Sequence, residues 1–205
     1  EDTRIKMFNP EPKHIVEGRR FLYDANVSSS NGEASCASCH VFGDLDSLTW
    51  NLGDPDGNVA KNPIEVKRRG SAELFPNING TGNVPELHPM KGPMTTQTLR
   101  GMINNGSMHW RGDRTAGNDP GGDVFDTFVA FTKFIVAFEG LMGNDPKTPF
   151  RGNDMSAFTN FMLDVVLPPN PVRPLNNSLT DAQAAGRKFY NKPTNPWFSC
   201  KECHS

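Results

Sequence analysis

The sequence predicts a mainly α-helical, loop-rich fold in two similar units, and three observations carry that expectation. A five-residue motif occurs twice, as Cys36-Ala37-Ser38-Cys39-His40 and Cys200-Lys201-Glu202-Cys203-His204, and together the copies use every cysteine of the 205-residue chain. Each copy follows a short amphipathic stretch of matching order, Gly18-Arg19-Arg20-Phe21 before the first and Gly186-Arg187-Lys188-Phe189 before the second. The remainder is rich in helix breakers, with 19 Gly and 17 Pro, and only 36% of residues are hydrophobic. Such a balance builds short helices between long loops and leaves a large cofactor to supply apolar surface that the side chains do not.

The motif narrows the chemistry. Positions i, i+3 and i+4 of a helical turn share one face. Two sulfurs so placed can form thioethers to the vinyl groups of a haem while the histidine reaches the iron, which is the c-type attachment pattern. Zinc asks for four ligands, usually from paired knuckles close in sequence, and each copy offers three. A redox disulfide of the thioredoxin kind would sit in a βαβ pattern that is absent here, and a structural disulfide leaves both histidines unexplained. The expectation is therefore two covalently attached c-type haems in two cytochrome c-like units, with Cys36, Cys39, Cys200 and Cys203 as thioether positions and His40 and His204 as iron ligands. Residues 1–170 are read as the first haem domain, with a long loop and a buried helix. Residues 171–205 begin a second that would continue beyond the chain.

The elements follow in order. "EGRRFLYDAN" reads as an amphipathic helix leading into the first motif, with His14 ahead of it on the surface. Residues 43–93 carry turn signals every few positions ("LGDPDGN", "KNP", "NINGTGN", "HPMKGP"), and a loop of that length is rarely idle. A short helix is expected from Thr95 to Ile103. The most apolar stretch, "VFDTFVAFTKFIVAFEGLM", traces a helical stripe through Phe125, Phe128, Val129, Thr132, Ile135, Val136 and Glu139. With Phe131, Phe134 and Phe138 on its other sides, that helix is read as buried. Another runs from Met155 to Val166 and stops at the proline-rich "LPPNPVRP", read as a linker. "SLTDAQ", with Ser178 or Thr180 as N-cap, starts the helix before the second motif.

Charge and hydropathy exclude some classes. A formal charge of −2 gives no basic footprint for nucleic acid, and no run of 18 apolar residues is present to form a spanning helix. Covalent haem attachment to bacterial chains takes place outside the cytoplasm, so a periplasmic or extracellular location is expected. The start at Glu1 then implies a removed signal peptide or a piece of a longer exported protein.

Taken in order, the first motif, the "HPMKGPMTTQTLRG" segment, "HWRGDR", "AFEGLMG" and the second motif resemble the bacterial dihaem cytochrome c peroxidases and their MauG-like relatives. The resemblance spans residues 14–204, and only the haem motifs in it are highly specific. It implies His88 as second axial ligand of the first haem, Trp110 as an electron path between haems, and Glu139 as acid-base in a peroxidatic pocket. The glutamine that assists that glutamate in the family has no counterpart here. The segment also resembles cytochrome regions that follow β-propellers in larger bacterial proteins. From the residues themselves, His14, His88, His109, Met90, Met94 and Met108 are all open as the sixth iron ligand. Arg100, Arg111 and Arg114 form a cationic cluster suited to haem propionates. Met142, Met155 and Met162 suit core positions; alternatively Met155 or Met162 folds back to cover the second haem. Three functions are compatible: electron transfer to a redox protein partner, reduction of hydrogen peroxide at the first haem, and a haem-stabilised interaction module.

Overall fold

A computed structural model of the chain describes residues 5, 7–61, 86–105, 108–123, 125–144, 152–192 and 199–202. The described residues fall into two compact units, the first made of those up to Ala60 and of Leu87–Val166, the second of Lys61, Glu86 and those from Leu167 onward.

In the first unit, α1 (Lys13–Tyr23) follows Pro12, a residue whose fixed φ suits the start of a helix. Asp24 ends α1 and caps α2 (Ala25–Ser28), its carboxylate accepting from the Asn26 amide at 3.0 Å. Gly18, Phe21 and Leu22, at i, i+3 and i+4, form the buried face of α1. That face packs on α5 (Gly152–Asp164), which buries Met155, Phe158, Thr159, Phe161, Met162 and Leu163. Phe158 is the hub of the core: its ring meets Phe131 edge-on at 5.2 Å and lies 6.0 Å from Phe21 and 6.1 Å from Phe138. Aromatic pairs at these separations add about 0.5–1.5 kcal/mol each beyond their burial. Met155 and Met162 are 2% and 0% exposed inside this core. The alternative that either folds back over a second haem is thereby corrected.

The long apolar helix is also corrected. It is broken into α3 (Thr127–Thr132), a 3-10 turn at Lys133–Ile135 and α4 (Val136–Gly140). Its buried face is Thr127, Ala130, Phe131 and Phe138, whereas Phe125, Phe128, Val136 and Glu139 of the expected stripe are exposed. The N-cap explains the phase. Asp126 accepts from the Val129 amide at 2.9 Å, and Lys133 is tied outward to Asp119 at 2.8 Å, so the face between them turns inward.

The expected helix from Thr95 to Ile103 does not form. Strand β1 (Thr49–Asn51) pairs antiparallel with β2 (Pro93–Thr95), Trp50 opposite Met94, and the chain then runs irregularly to a turn at Gly101, where φ is 71°. Thr95, Thr96 and Thr98 are β-branched and favour this extended course. Residues 96–101 are strapped at both ends, the Thr96 amide to the Leu48 carbonyl at 3.2 Å and the Gly101 amide to the Val165 carbonyl at 2.7 Å.

The second unit contains α6 (Asp181–Asn191) and a 3-10 turn at Cys200–Glu202. Of the two expected caps it is Thr180 that acts: its hydroxyl accepts from the Gln183 amide at 3.3 Å, and the Gln183 side chain accepts from the Thr180 amide at 3.0 Å. This reciprocal pair satisfies two amides that the helix cannot.

Candidate functional site

The first motif forms one tight turn at the edge of the core. The Cys39 and His40 amides both donate to the Cys36 carbonyl, at 3.3 and 2.9 Å, which brings both thiols and the imidazole onto one turn. Cys36 and Ala37 pack against the core cluster. Burial pushes the Cys36 thiol up to about 11 and also raises that of Cys39. These thiols are therefore protonated at neutral pH and are poor redox or metal-binding thiolates unless a reaction at sulfur removes the proton.

His40 is oriented by main chain. Its Nδ1 donates to the Gln97 carbonyl at 2.8 Å, with the Asp44 carbonyl farther off at 3.4 Å. A carbonyl can only accept, so Nδ1 carries the proton and Nε2 keeps its lone pair for a ligand. Burial lowers the imidazole pKa despite these bonds, which keeps the ring neutral at pH 7. A neutral imidazole with Nδ1 tethered is the form in which histidine binds metals. The next residues are braced too. The Leu99 amide donates to the Gly43 carbonyl at 3.0 Å, and Arg100 donates twice to the Phe42 carbonyl, from Nη2 at 2.9 Å and Nε at 3.3 Å. Phe42 sits at φ 55°, a left-handed conformation that bulky residues avoid, with its ring 74% exposed. Arg100, which also lies 3.4 Å from Asp44, thus holds the turn behind His40 and is not free for a propionate.

The donor set fits a covalently bound haem. Two cysteines and a histidine with its Nε2 lone pair available share a turn, and Phe42, Trp50, Met90 and Trp110 of the same unit are exposed. Trp110 and Trp50 are fixed by their ring nitrogens, which donate at 2.8 Å to the Thr95 carbonyl and the Asp46 carboxylate.

The other expected site residues are distributed as follows. His88 is exposed and its Nδ1 accepts from the Met90 amide at 3.1 Å, so its neutral ring carries the proton on Nε2, the reverse of what an Nε2 ligand needs. His109 instead has Nδ1 2.6 Å from the buried carboxylate of Asp113. His14 pairs with Asp164 at the surface, joining α1 to α5. Arg111 donates to the His88 carbonyl at 2.8 Å, and its Nε is buried without a partner. Arg114 stacks over Phe134, 5.9 Å from the ring centroid. Glu139 is exposed at the end of α4, outside this group of residues. Of the second motif Cys200 opens the 3-10 turn, while Cys203 and His204 lie outside the described residues. Gln97, Asp113 and Lys91 were not expected. Asp113 carried a signal in its i, i+4 spacing from His109; Gln97 acts through a carbonyl, which no side chain announces.

No protein-family model matches the chain. A curated protein, hydrazine synthase subunit gamma of Kuenenia stuttgartiensis, is 26% identical over 202 residues, covering 98% of this chain and 45% of that protein. In a solved structure of Kuenenia stuttgartiensis hydrazine synthase pressurised with 20 bar xenon, one chain matches with a TM-score of 0.54 at 21% identity, over 98% of this chain and 51% of that one. The two share a fold, and this chain spans about half the length of the proteins it matches.

These matches correct the peroxidase resemblance. The protein aligned along nearly the whole chain is a hydrazine synthase subunit, not a dihaem cytochrome c peroxidase or MauG-like protein. The two Cys-x-x-Cys-His motifs carried that resemblance, and such a motif is not tied to one reaction. With it go the readings as a free-standing electron-transfer cytochrome, a peroxide reductase and a haem-stabilised interaction module. Neither the match to hydrazine synthase subunit gamma nor any metal-binding group among the described residues supports the expected haem, metal-binding and periplasmic labels. Among the described residues no group of three or more His, Cys, Asp or Glu is placed to hold a metal ion by itself, and no helix is long and apolar enough to cross a membrane.

Proposed function

We propose that this chain is the matching half of a gamma-type subunit in a hydrazine-forming enzyme complex, and that it contributes c-type haem to that complex. The observation that carries the first part is the alignment to hydrazine synthase subunit gamma over 98% of the chain. The cofactor rests on this chain's own residues and not on the family: Cys36, Cys39 and the Nδ1-tethered His40 have the donor order and protonation a c-type haem requires. The second copy, Cys200 to His204, repeats that order in sequence, so two haems in two cytochrome-like units is the full proposal. A bound haem supplies an iron centre capable of one-electron chemistry. The protein's part is to hold His40 neutral and oriented through Gln97 and to brace the turn through Arg100, while the exposed Trp50, Trp110 and Phe42 would be available to pack on a bound macrocycle. Partner subunits follow from the same proposal, since the matched protein is named as one subunit of an enzyme.

Two measurements test it. Mass spectrometry of peptides from the natural protein should show a haem added to the peptide with Cys36 and Cys39 and another to the peptide with Cys200 and Cys203, both resistant to acid-acetone. Affinity capture under mild conditions should bring down further subunits, and the captured complex should form hydrazine, trapped with an aromatic aldehyde. A haem-free chain refutes the cofactor. Capture of the chain alone, with no hydrazine formed, refutes the assembly.

A further inference from the structure

The hairpin closed by the Met108–Arg114 bridge gathers an unusual charge pattern. Asp113 is 8% exposed, is bonded to His109 at 2.6 Å, and has Arg111 Nη2 3.7 Å from its other oxygen. Lys91 and Arg114 act on the same carboxylate. Burial drives the Lys91 pKa down, and the neighbouring charges of Arg111 and Arg114 drive it further against the pull of Asp113. Arg111 thus approaches this carboxylate directly, and Lys91 and Arg114 lie within electrostatic reach of it, all three only partly exposed. Arg111 is underused as well: one arm holds the His88 carbonyl, while Nε is buried with no acceptor. A buried charged donor left without a partner costs about 1–3 kcal/mol, so an acceptor belongs there. His109 is held at φ 73°, a conformation that a non-glycine residue keeps only where its surroundings impose it.

We infer that Lys91, Arg111 and Arg114 form a carboxylate-binding site, fixed in place by the His109–Asp113 pair, and that its occupant is a propionate of the haem attached at the first motif. The inference rests on the haem reading above. What ties the hairpin to that haem is a shared strap: Trp110 donates to the carbonyl of Thr95, and His40 to the carbonyl of Gln97 two residues on. Guanidinium groups are the side chains best suited to pair with carboxylates. Arg100, by contrast, is consumed by Phe42 and Asp44 and does not belong to this site.

The test is the midpoint potential of the attached haem in the full chain, by spectroelectrochemical titration of wild type, Arg111→Gln, Arg114→Gln and Lys91→Gln. A propionate deprived of its cation leaves its negative charge to stabilise ferric iron. Each variant should therefore lower the potential, and Arg111→Lys should recover part of the shift. Three variants guard against one that fails to fold. In a parallel arm the wild type is titrated with inorganic phosphate. Potentials unmoved in every folded variant overturn the inference. So does a saturable phosphate response in wild type that Arg111→Gln abolishes, since it would mean that the site takes a free anion. A wild-type chain without haem overturns the reading beneath it, and is told apart by the absorption spectrum before any titration begins.

Discussion

Replacing Gly18 by alanine isolates the packing that presents the first motif. Gly18 lies on the buried face of α1, and a Cβ added there would fall within 3.0 Å of both the Ala157 carbonyl oxygen and the Phe161 Cβ of α5. Neither atom is the free end of a flexible side chain, so the helices must separate. Overpacking of a core costs about 1–3 kcal/mol, and contact with main chain places this case near about 3. Alanine returns about 1 kcal/mol of helix propensity relative to glycine, leaving a net loss of about 2 kcal/mol. In a protein of this size each kcal/mol moves the melting temperature by about 2–4 °C, so a fall of about 4–8 °C is expected. Gly186, the matching glycine of α6, is the control: a Cβ there meets nothing within 4 Å among the described residues, so Gly186→Ala should be neutral or stabilising by up to about 1 kcal/mol. Thermal and urea unfolding followed by circular dichroism measure both. A Gly18→Ala protein that melts at or above wild type would refute the close approach of α1 and α5.

Arg100→Ala removes two charged hydrogen bonds to the Phe42 carbonyl, and with part of the guanidinium in solvent the cost should be about 1–2 kcal/mol in urea unfolding; no loss would show that the brace is idle. In chain prepared without haem, the Cys36 thiol, pushed up to about 11 by burial, should react with iodoacetamide at pH 8 about two-hundredfold more slowly than after unfolding. Equal rates would place it in solvent. For Asp113, burial acts to raise the carboxyl pKa, but the bond from His109 and the charges of His109, Arg114 and Arg111 outweigh it and hold it below the ordinary value. A depressed folded pKa gives stability that is present above the unfolded value of about 4 and is lost as pH falls through the folded one. Wild type should therefore exceed Asp113→Asn in stability at pH 7 and converge with it below about pH 4, and a gap that persists undiminished to about pH 2 would count against the pair.

The parts of this molecule that sequence discloses are those where one residue type has one use. Cys36, Cys39 and His40 were legible because few chemistries want that order, and Thr180 because a hydroxyl before Asp181 caps a helix. The stripe on residues 125–139 failed for a physical reason: phenylalanines occur on every side, so periodicity identifies a helix without fixing its phase, which the Asp126 cap and the Lys133–Asp119 pair decide. Thr95–Ile103 failed because its course is set by partners far away in sequence, Thr49 opposite Thr95, and the Leu48, Gly43 and Val165 carbonyls for the Thr96, Leu99 and Gly101 amides. Arg100 was grouped with Arg111 and Arg114 on proximity in the chain alone; only the tertiary contact to Phe42 separates them. The reaction is not legible at all in the motif, because a Cys-x-x-Cys-His turn constrains its own geometry and leaves the chemistry performed there open.

The tether on His40 has a genetic consequence. Its acceptor is the main-chain oxygen of residue 97, which every amino acid supplies, so a saturation library at that codon should leave the imidazole orientation almost untouched. Variation that disturbs the ring enters where it displaces the main chain around residue 97, through the ladder at Thr49–Asn51, the anchor of Gly101 on Val165 or the Arg100 brace on Phe42. A screen that scans side chains one at a time would score position 97 as dispensable and miss the contact that sets the histidine.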